Sequence, residues 1–155
     1  MNAVIFRSAT LQDLPILLEF EQAIVEAERP FDPNLKVEGV TYYDLKELIE
    51  RPDAALIVGT NNDTIITSGY VLIKAAADHL QFTHYAYAGF MYTEPAFRGK
   101  GINRLLVDQL TNWAKAQGVF EMRLDVYAEN AAALRAYEKV GFEKLLVKMR
   151  LDLRE

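Results

Sequence analysis

The sequence contains no cysteine, which excludes disulfides, thiolate metal sites, iron–sulfur clusters and a cysteine nucleophile. Histidine is nearly absent as well. With only His79 and His84, a multi-histidine metal centre is out of reach, and no metal is expected. Positive charge is in deficit: 17 Lys and Arg against 22 Asp and Glu leave a net charge of −5. That balance argues against broad nucleic-acid binding and against a polybasic membrane tether. No apolar run approaches the roughly 18–20 residues of a membrane span. The opening Met1–Arg7 has neither the basic flank nor the apolar stretch of a signal peptide. No interior stretch is rich enough in Pro, Gly or Ser to act as a linker, and no internal repeat is visible. What remains is a chain of 155 residues, 51% apolar and 25% charged, close to globular averages. The expectation is one soluble domain spanning 1–155, in the cytoplasm.

Val4–Arg7 reads as a short first strand. Thr10–Asp13 fits a capping box at a helix start, and Leu14, Leu17, Leu18, Ile24 and Val25 follow at helical spacing. That helix ends before Pro30. A second short helix is expected over Tyr43–Arg51. Ala54–Val58, the turn signal Asn61–Asn62–Asp63 and Thr64–Ile73 predict an antiparallel hairpin. After a polar connection, a fourth strand runs from His84 to Thr93 with Gly89 inside it, where glycine often marks a bulge or close backbone approach. Ile102–Ala116 is a strongly amphipathic helix stopped by Gly118. A strand over Met122–Tyr127, a helix capped by Asn130 and a closing strand over Phe142–Leu153 complete the order. The pattern predicts an α/β (α+β) fold, a mixed sheet with helices on both faces.

The most informative segment is Glu94–Pro95–Ala96–Phe97–Arg98–Gly99–Lys100–Gly101–Ile102–Asn103–Arg104. It leaves a strand and opens a helix. Two glycines let several N–H groups converge, and the helix start adds its positive dipole end, so the segment is a natural anion cradle. Arg98, Lys100 and Arg104 reverse the sign of the chain locally. A capped surface turn with solvated charges is the plain alternative for such a turn alone. A Walker A loop fails because Glu94 and Gly101 stand where a glycine and a Ser or Thr are needed. The dinucleotide fingerprint fails because Arg104 replaces its third glycine.

These residues resemble the acetyl-CoA-binding motif of the GNAT N-acetyltransferase family. The block Asn130–Phe142, with Tyr137–Glu138–Lys139–Val140–Gly141–Phe142 at its end, is similar to that family's following helix and turn, and Arg7–Leu14 matches a common family start. The resemblance covers essentially the whole chain in order. It implies a mixed, mostly antiparallel sheet of six to seven strands flanked by about four helices. It also implies acetyl-CoA as co-substrate, with its pyrophosphate held by backbone groups of Arg98, Gly99, Lys100, Gly101, Ile102 and Asn103. Main-chain groups of Met91, Tyr92 and Thr93 would pair with pantetheine, Asn130 would hydrogen-bond its arm, and Tyr137 would act beside the sulfur as general acid.

Two departures stand out. The usual Gly or Ala of the loop is Asn103 here. A glutamate that many relatives carry on the fourth strand as general base is matched by Gly89, with no carboxylate between Asp78 and Glu94. A base acting through water, or a residue between Glu21 and Asp32, remains. Tyr85 and Tyr87 alternate onto the face of Gly89 and join the candidate acceptor residues. Glu21 and Glu28 are two helical turns apart and Asp32 follows, so these acids are expected to form a rim that attracts a cationic amine; a solvated acidic face is the plain reading.

The function so implied is transfer of acetyl from acetyl-CoA to a primary amine, a small cationic amine or a protein amine, by direct attack. Neither nucleic acid nor membrane is an expected partner, and a homodimer is possible. A non-catalytic acyl-CoA-binding module and an acidic protein-interaction domain are the alternatives.

Overall fold

The computed structural model describes residues 2–154. Its strands are β1 (Ile5–Ser8), β2 (Ala54–Asn61), β3 (Thr64–Ala75), β4 (His84–Thr93) and β5 (Met122–Arg123). Its helices are α1 (Leu14–Glu28), α2 (Leu45–Glu50), α3 (Ile102–Ala116) and α4 (Ala131–Lys139), with short 3₁₀ turns at Leu11–Asp13, Arg29–Phe31 and Pro95–Phe97. The described strands form one sheet in the order β1-β2-β3-β4-β5. The first three pairings are antiparallel and the last is parallel. The mixed, mostly antiparallel sheet follows the expectation; its five strands fall short of the six to seven anticipated.

Local chemistry explains the joints. At the β2–β3 turn, Asn62 and Asp63 adopt φ of 51° and 64°, the left-handed pair that a two-residue hairpin requires and that Asn and Asp tolerate. At the start of α1, Asp13 Oδ2 accepts the Thr10 amide at 2.7 Å. The same carboxylate is gripped by the Arg7 guanidinium at 2.8 and 3.0 Å, which holds it below the usual carboxylate range. Asp44 caps α2 by accepting the Glu47 amide at 3.0 Å, so that helix begins slightly later than its apolar pattern suggested.

Alternation along the strands divides the core into two layers. Leu56, Val58, Tyr70 and Phe90 pack under α1 and α2. Ile57, Val71, Ala86 and Ala88 pack under α3, whose Leu106 and Leu110 are fully buried.

Two irregularities shape the site. The β3–β4 register shifts between Ser68 and Tyr70, and Phe90 takes φ of 55°. Side chains of β3 secure this distorted stretch: Ser68 Oγ donates to the Phe90 carbonyl at 3.3 Å and Thr67 Oγ1 to the Tyr92 carbonyl at 2.7 Å. Second, β5 pairs with β4 only at Ala86↔Met122 and Tyr87↔Arg123. Beyond that point the two strands part, and the β4 edge from Ala88 to Thr93 has no β5 partner.

Two expected strands are corrected. The strand anticipated over Met122–Tyr127 is paired only at its first two residues. The closing strand anticipated over Phe142–Leu153 joins no ladder, and Leu145, Leu146, Val147, Met149, Leu151 and Leu153 are exposed. Strand sequences need a neighbour to become strands, and this arrangement of the chain supplies none there.

Candidate active site

The anion cradle is built by backbone geometry. Gly99 and Gly101 have φ of 75° and 79°, a region costly for any residue with a Cβ. A Cβ added at either would meet nothing within 4 Å, so conformation rather than crowding demands glycine, and the loop faces open space. Gly101 is the N-cap of α3, and the first backbone bond into that helix runs from Leu105 to the Gly101 carbonyl. Among the described residues, the amides of 99–104 find no backbone acceptor outside the helix, as expected of a helix start. They are the donors an anion would use. The Asn103 side chain is half-buried at this start, while the Arg98, Lys100 and Arg104 side chains are exposed.

Not all of that positive charge is free. Arg98 Nε donates to the Thr93 carbonyl at 2.8 Å, and its guanidinium lies 5.6 Å from the Tyr92 ring centroid. It therefore clasps the end of β4 to the loop. Lys100 lies over the Phe97 ring at 5.4 Å. Met91, Tyr92 and Thr93 line the unpaired edge of β4 beside the gap left by β5.

Asn130 caps α4, its Oδ1 accepting the Ala133 amide at 3.2 Å; its amide NH₂ stays available as a donor. Tyr137 lies half-buried on α4, edge-on to Phe142 at 5.7 Å between centroids. Its hydroxyl makes no hydrogen bond among the described residues. Burial, with a further push from the Glu28 charge, raises that hydroxyl to about 12, so it keeps its proton throughout the neutral range.

A second group, of acids and tyrosines, is drawn from separate elements. Glu28, the last residue of α1, is half-buried, and loss of water raises its carboxyl above the usual range. Asp32 accepts the Tyr127 hydroxyl at 2.8 Å and the Asn34 amide at 2.9 Å. Those donors hold it low, so it is ionised at neutral pH. The buried Tyr42 hydroxyl has no partner in hydrogen-bonding geometry. Glu28 is nonetheless near enough that its charge, after burial, contributes to raising Tyr42 to about 12. The same carboxylate is felt by Tyr43, Tyr127 and Tyr137.

Glu21 does not belong to an exposed acidic rim. It is 1% exposed, and its Oε2 accepts the amides of Tyr42 and Tyr43, both at 2.8 Å. The irregular stretch before α2 carries orphan backbone donors, and a buried carboxylate satisfies two of them. Only Glu28 and Asp32 remain of the anticipated trio.

At Gly89, the position that the family resemblance matched to a general base, a neighbour leaves no room for a side chain. A Cβ there would lie 2.5 Å from Tyr70 Cε1 and 2.6 Å from the Tyr70 hydroxyl oxygen. The Tyr70 phenol thus fills the space a strand-four side chain would enter. Tyr70 stands 5.7 Å from Tyr43 and 6.4 Å from Tyr87, ring to ring. Tyr87 donates its hydroxyl to Asp125 Oδ2 at 2.8 Å. Tyr85 lies apart from this group, its ring 5.1 Å from the Arg123 guanidinium at the paired end of β4. Tyr42, Tyr70, Asp125 and Tyr127 escaped sequence reasoning, because no local pattern distinguishes them from packing residues. Among the described residues no cluster of three metal-ligating side chains occurs, and no helix is long and apolar enough to cross a membrane.

The family model described as "Acetyltransferase (GNAT) family" matches residues 21–142. The chain belongs to this family, and the activity that membership assigns is N-acetyl transfer from acetyl-CoA. Among curated relatives, the [ribosomal protein bS18]-alanine N-acetyltransferase of Salmonella typhimurium is 27% identical over 151 residues, covering 96% of this chain and 85% of that protein. Among solved structures, a mutant of the BH1408 protein from Bacillus halodurans superposes with a TM-score of 0.84 at 20% identity, covering 97% and 99% of the two chains. A predicted acetyltransferase from Clostridium acetobutylicum, solved with acetyl-CoA, gives a TM-score of 0.70 at 21% identity over 97% of each chain. At these identities the two structures establish the shared fold.

Proposed function

We propose that the chain, acting as one catalytic domain, acetylates a cationic primary amine, with Tyr137 and Glu28 as its proton-handling groups. The observation that supports this reading is Glu28, half-buried at the end of α1 and near enough to α4 that its charge contributes to raising the Tyr137 hydroxyl. The cradle fits a pyrophosphate in charge, donor supply and open space. Backbone groups from Arg98 to Asn103 are assigned to hold it, the β4 edge at Met91–Thr93 to hold pantetheine, and Asn130 Nδ2 to support that arm.

Acetyl-CoA supplies its acetyl group as a thioester, and the amine nitrogen attacks the carbonyl carbon as the carbon–sulfur bond breaks. A primary amine of ordinary pKa is only about one part in a thousand neutral at pH 7, a cost of roughly 4 kcal/mol. Glu28 is assigned the proton. A desolvated carboxylate is a stronger base than one in water, which narrows that gap. Tyr137 keeps its proton and presents it to the departing sulfur. Asp32, ionised and partly accessible, contributes to attracting the ammonium.

The relative that acetylates a protein alanine makes a protein amine one candidate acceptor; a small polyamine is the other. The test is acetyl-CoA-dependent thiol release against neutral amines, polyamines and peptides with a free terminus, at low and high salt. A cationic acceptor favoured at low salt supports the reading. Equal kcat/KM for cationic and neutral amines at low salt removes the acids from acceptor selection. Acyl-CoA binding with no turnover on any amine would instead favour the non-catalytic module.

A further inference from the structure

One buried polar group has no part in the reaction as assigned so far. Tyr42 lies in the irregular segment before α2, and its hydroxyl oxygen is sealed from solvent with no hydrogen-bond partner among the described residues. A buried donor left unpaired is costly, and folded proteins keep few of them.

The placement of this side chain is fixed from two directions. Glu21 Oε2 accepts the amides of Tyr42 and Tyr43, both at 2.8 Å, which ties the segment to the buried side of α1. The Tyr42 ring stands edge-on to Tyr43 at 5.7 Å between centroids, and Tyr43 packs in turn against Tyr70 at 5.7 Å and Phe90 at 5.2 Å. Glu28 follows Glu21 by two helical turns, so the tie at Glu21 lays the segment alongside Glu28. The Tyr42 hydroxyl and the Glu28 carboxyl lie close enough for each to act on the other's proton.

We propose that Tyr42 is a positioning residue for Glu28: its hydroxyl donates to the Glu28 carboxylate and fixes the orientation of that group. The inference rests on Glu28 as the group that takes the amine's proton. Tyr42 suits the role because burial first, and the Glu28 charge after it, push its hydroxyl up to about 12. It therefore keeps its proton at neutral pH and can donate it in a hydrogen bond. On Glu28, loss of water favours the protonated form most strongly, the Tyr42 hydroxyl opposes that, and the Asp32 charge adds to it.

The other groups around Glu28 are engaged elsewhere. Arg29 donates to Glu26 Oε1 at 2.9 Å and to the carbonyls of Lys36 and Val37 at 2.7 and 3.1 Å. The Tyr127 hydroxyl is given to Asp32 at 2.8 Å, and Arg150, from the segment after α4, acts on Asp32 as well. Tyr43 meets the Phe90 backbone, and Tyr137 is assigned to the sulfur.

The test reads Glu28 directly. In protein labelled with ¹³C at its glutamate carboxyls, the Glu28 resonance is identified by its loss in Glu28→Gln. Its titration midpoint is then followed in the free protein, without coenzyme or acceptor. Tyr42→Phe keeps the ring against Tyr43 and deletes only the donor, so the midpoint should move to higher pH. The acidic limb of kcat/KM for a polyamine acceptor should move with it. Thermal unfolding separates this from a packing role. Wild type should exceed Tyr42→Phe in stability only above the pH at which Glu28 ionises, where the bond to the carboxylate exists, and the two should converge below it. A deficit equal at every pH would mark Tyr42 as a packing residue and overturn the proposal. An unchanged Glu28 midpoint in folded Tyr42→Phe overturns it too, as does a midpoint that moves while the limb stays in place. A limb that survives Glu28→Gln would instead remove Glu28 as the base, a failure of that assignment and not of the bond, which the midpoint reads in the free protein.

Discussion

The two halves of the site are made differently. The part proposed to hold the coenzyme's pyrophosphate lies within one unbroken stretch, Arg98 to Asn103, where two left-handed glycines and a helix start create the donors. The proposed acceptor half is gathered from α1, the turn after it, the segment before α2, the β5 extension and α4, through Glu28, Asp32, Tyr42, Tyr127 and Tyr137. A half written in consecutive residues is fixed by local backbone chemistry. A half assembled from five places depends on how the layers pack.

The largest expected effects fall on the acceptor half and test whether it is chemical or merely electrostatic. Tyr137→Phe keeps the ring against Phe142 and removes only a hydroxyl that makes no hydrogen bond among the described residues. Positioned acids and bases contribute about 10²–10⁴-fold, so kcat should fall within that range with the melting temperature unchanged. Glu28→Gln should fall in the same range while the acetyl-CoA Kd stays put. Its sign with pH is distinctive. The carboxylate accepts a proton only when ionised, and burial raises its pKa, so wild-type activity should decline as pH drops through a value above the ordinary carboxylate range. That limb should be missing from the kcat/KM profile of Glu28→Gln.

A somewhat smaller effect is expected at the coenzyme half. Gly101→Asp forces a side chain into φ of 79° and sets a negative charge in the anion cradle. Backbone strain of about 1–2 kcal/mol plus a lost dipole interaction of about 1 kcal/mol correspond to roughly a hundredfold weaker coenzyme binding by calorimetry. Unchanged affinity in the folded variant would detach this loop from the coenzyme.

Gly89→Ala sharpens the boundary between the halves. Its Cβ would meet Tyr70 at 2.5 Å, and overpacking of this kind costs about 1–3 kcal/mol. Thermal unfolding should show a loss of that order, relieved when Tyr70→Phe is combined with it only if the hydroxyl, rather than the ring, is the obstacle. The smallest effect belongs to Asp32→Asn. Exposed charge pairs contribute little, so KM for a cationic amine should rise less than tenfold, and the difference should fade with added salt.

Sequence alone determined whatever is local. The hairpin at Asn62–Asp63, the cap at Thr10–Asp13, the amphipathic α3 and the glycine loop depend on residues within a few positions of one another, and each is found where composition and spacing put it. Tertiary structure decided the rest, because burial and partnership are properties of pairs distant in sequence. Glu21 and Glu28 are two turns apart on one helix, yet one is consumed by the amides of Tyr42 and Tyr43 and the other is left half-buried near Tyr137. Gly89 reads as a missing base until Tyr70, from the neighbouring strand, is seen to occupy its space. The alternation at 147–153 has the period of a strand, but a strand exists only with a neighbour, and the described residues supply none there.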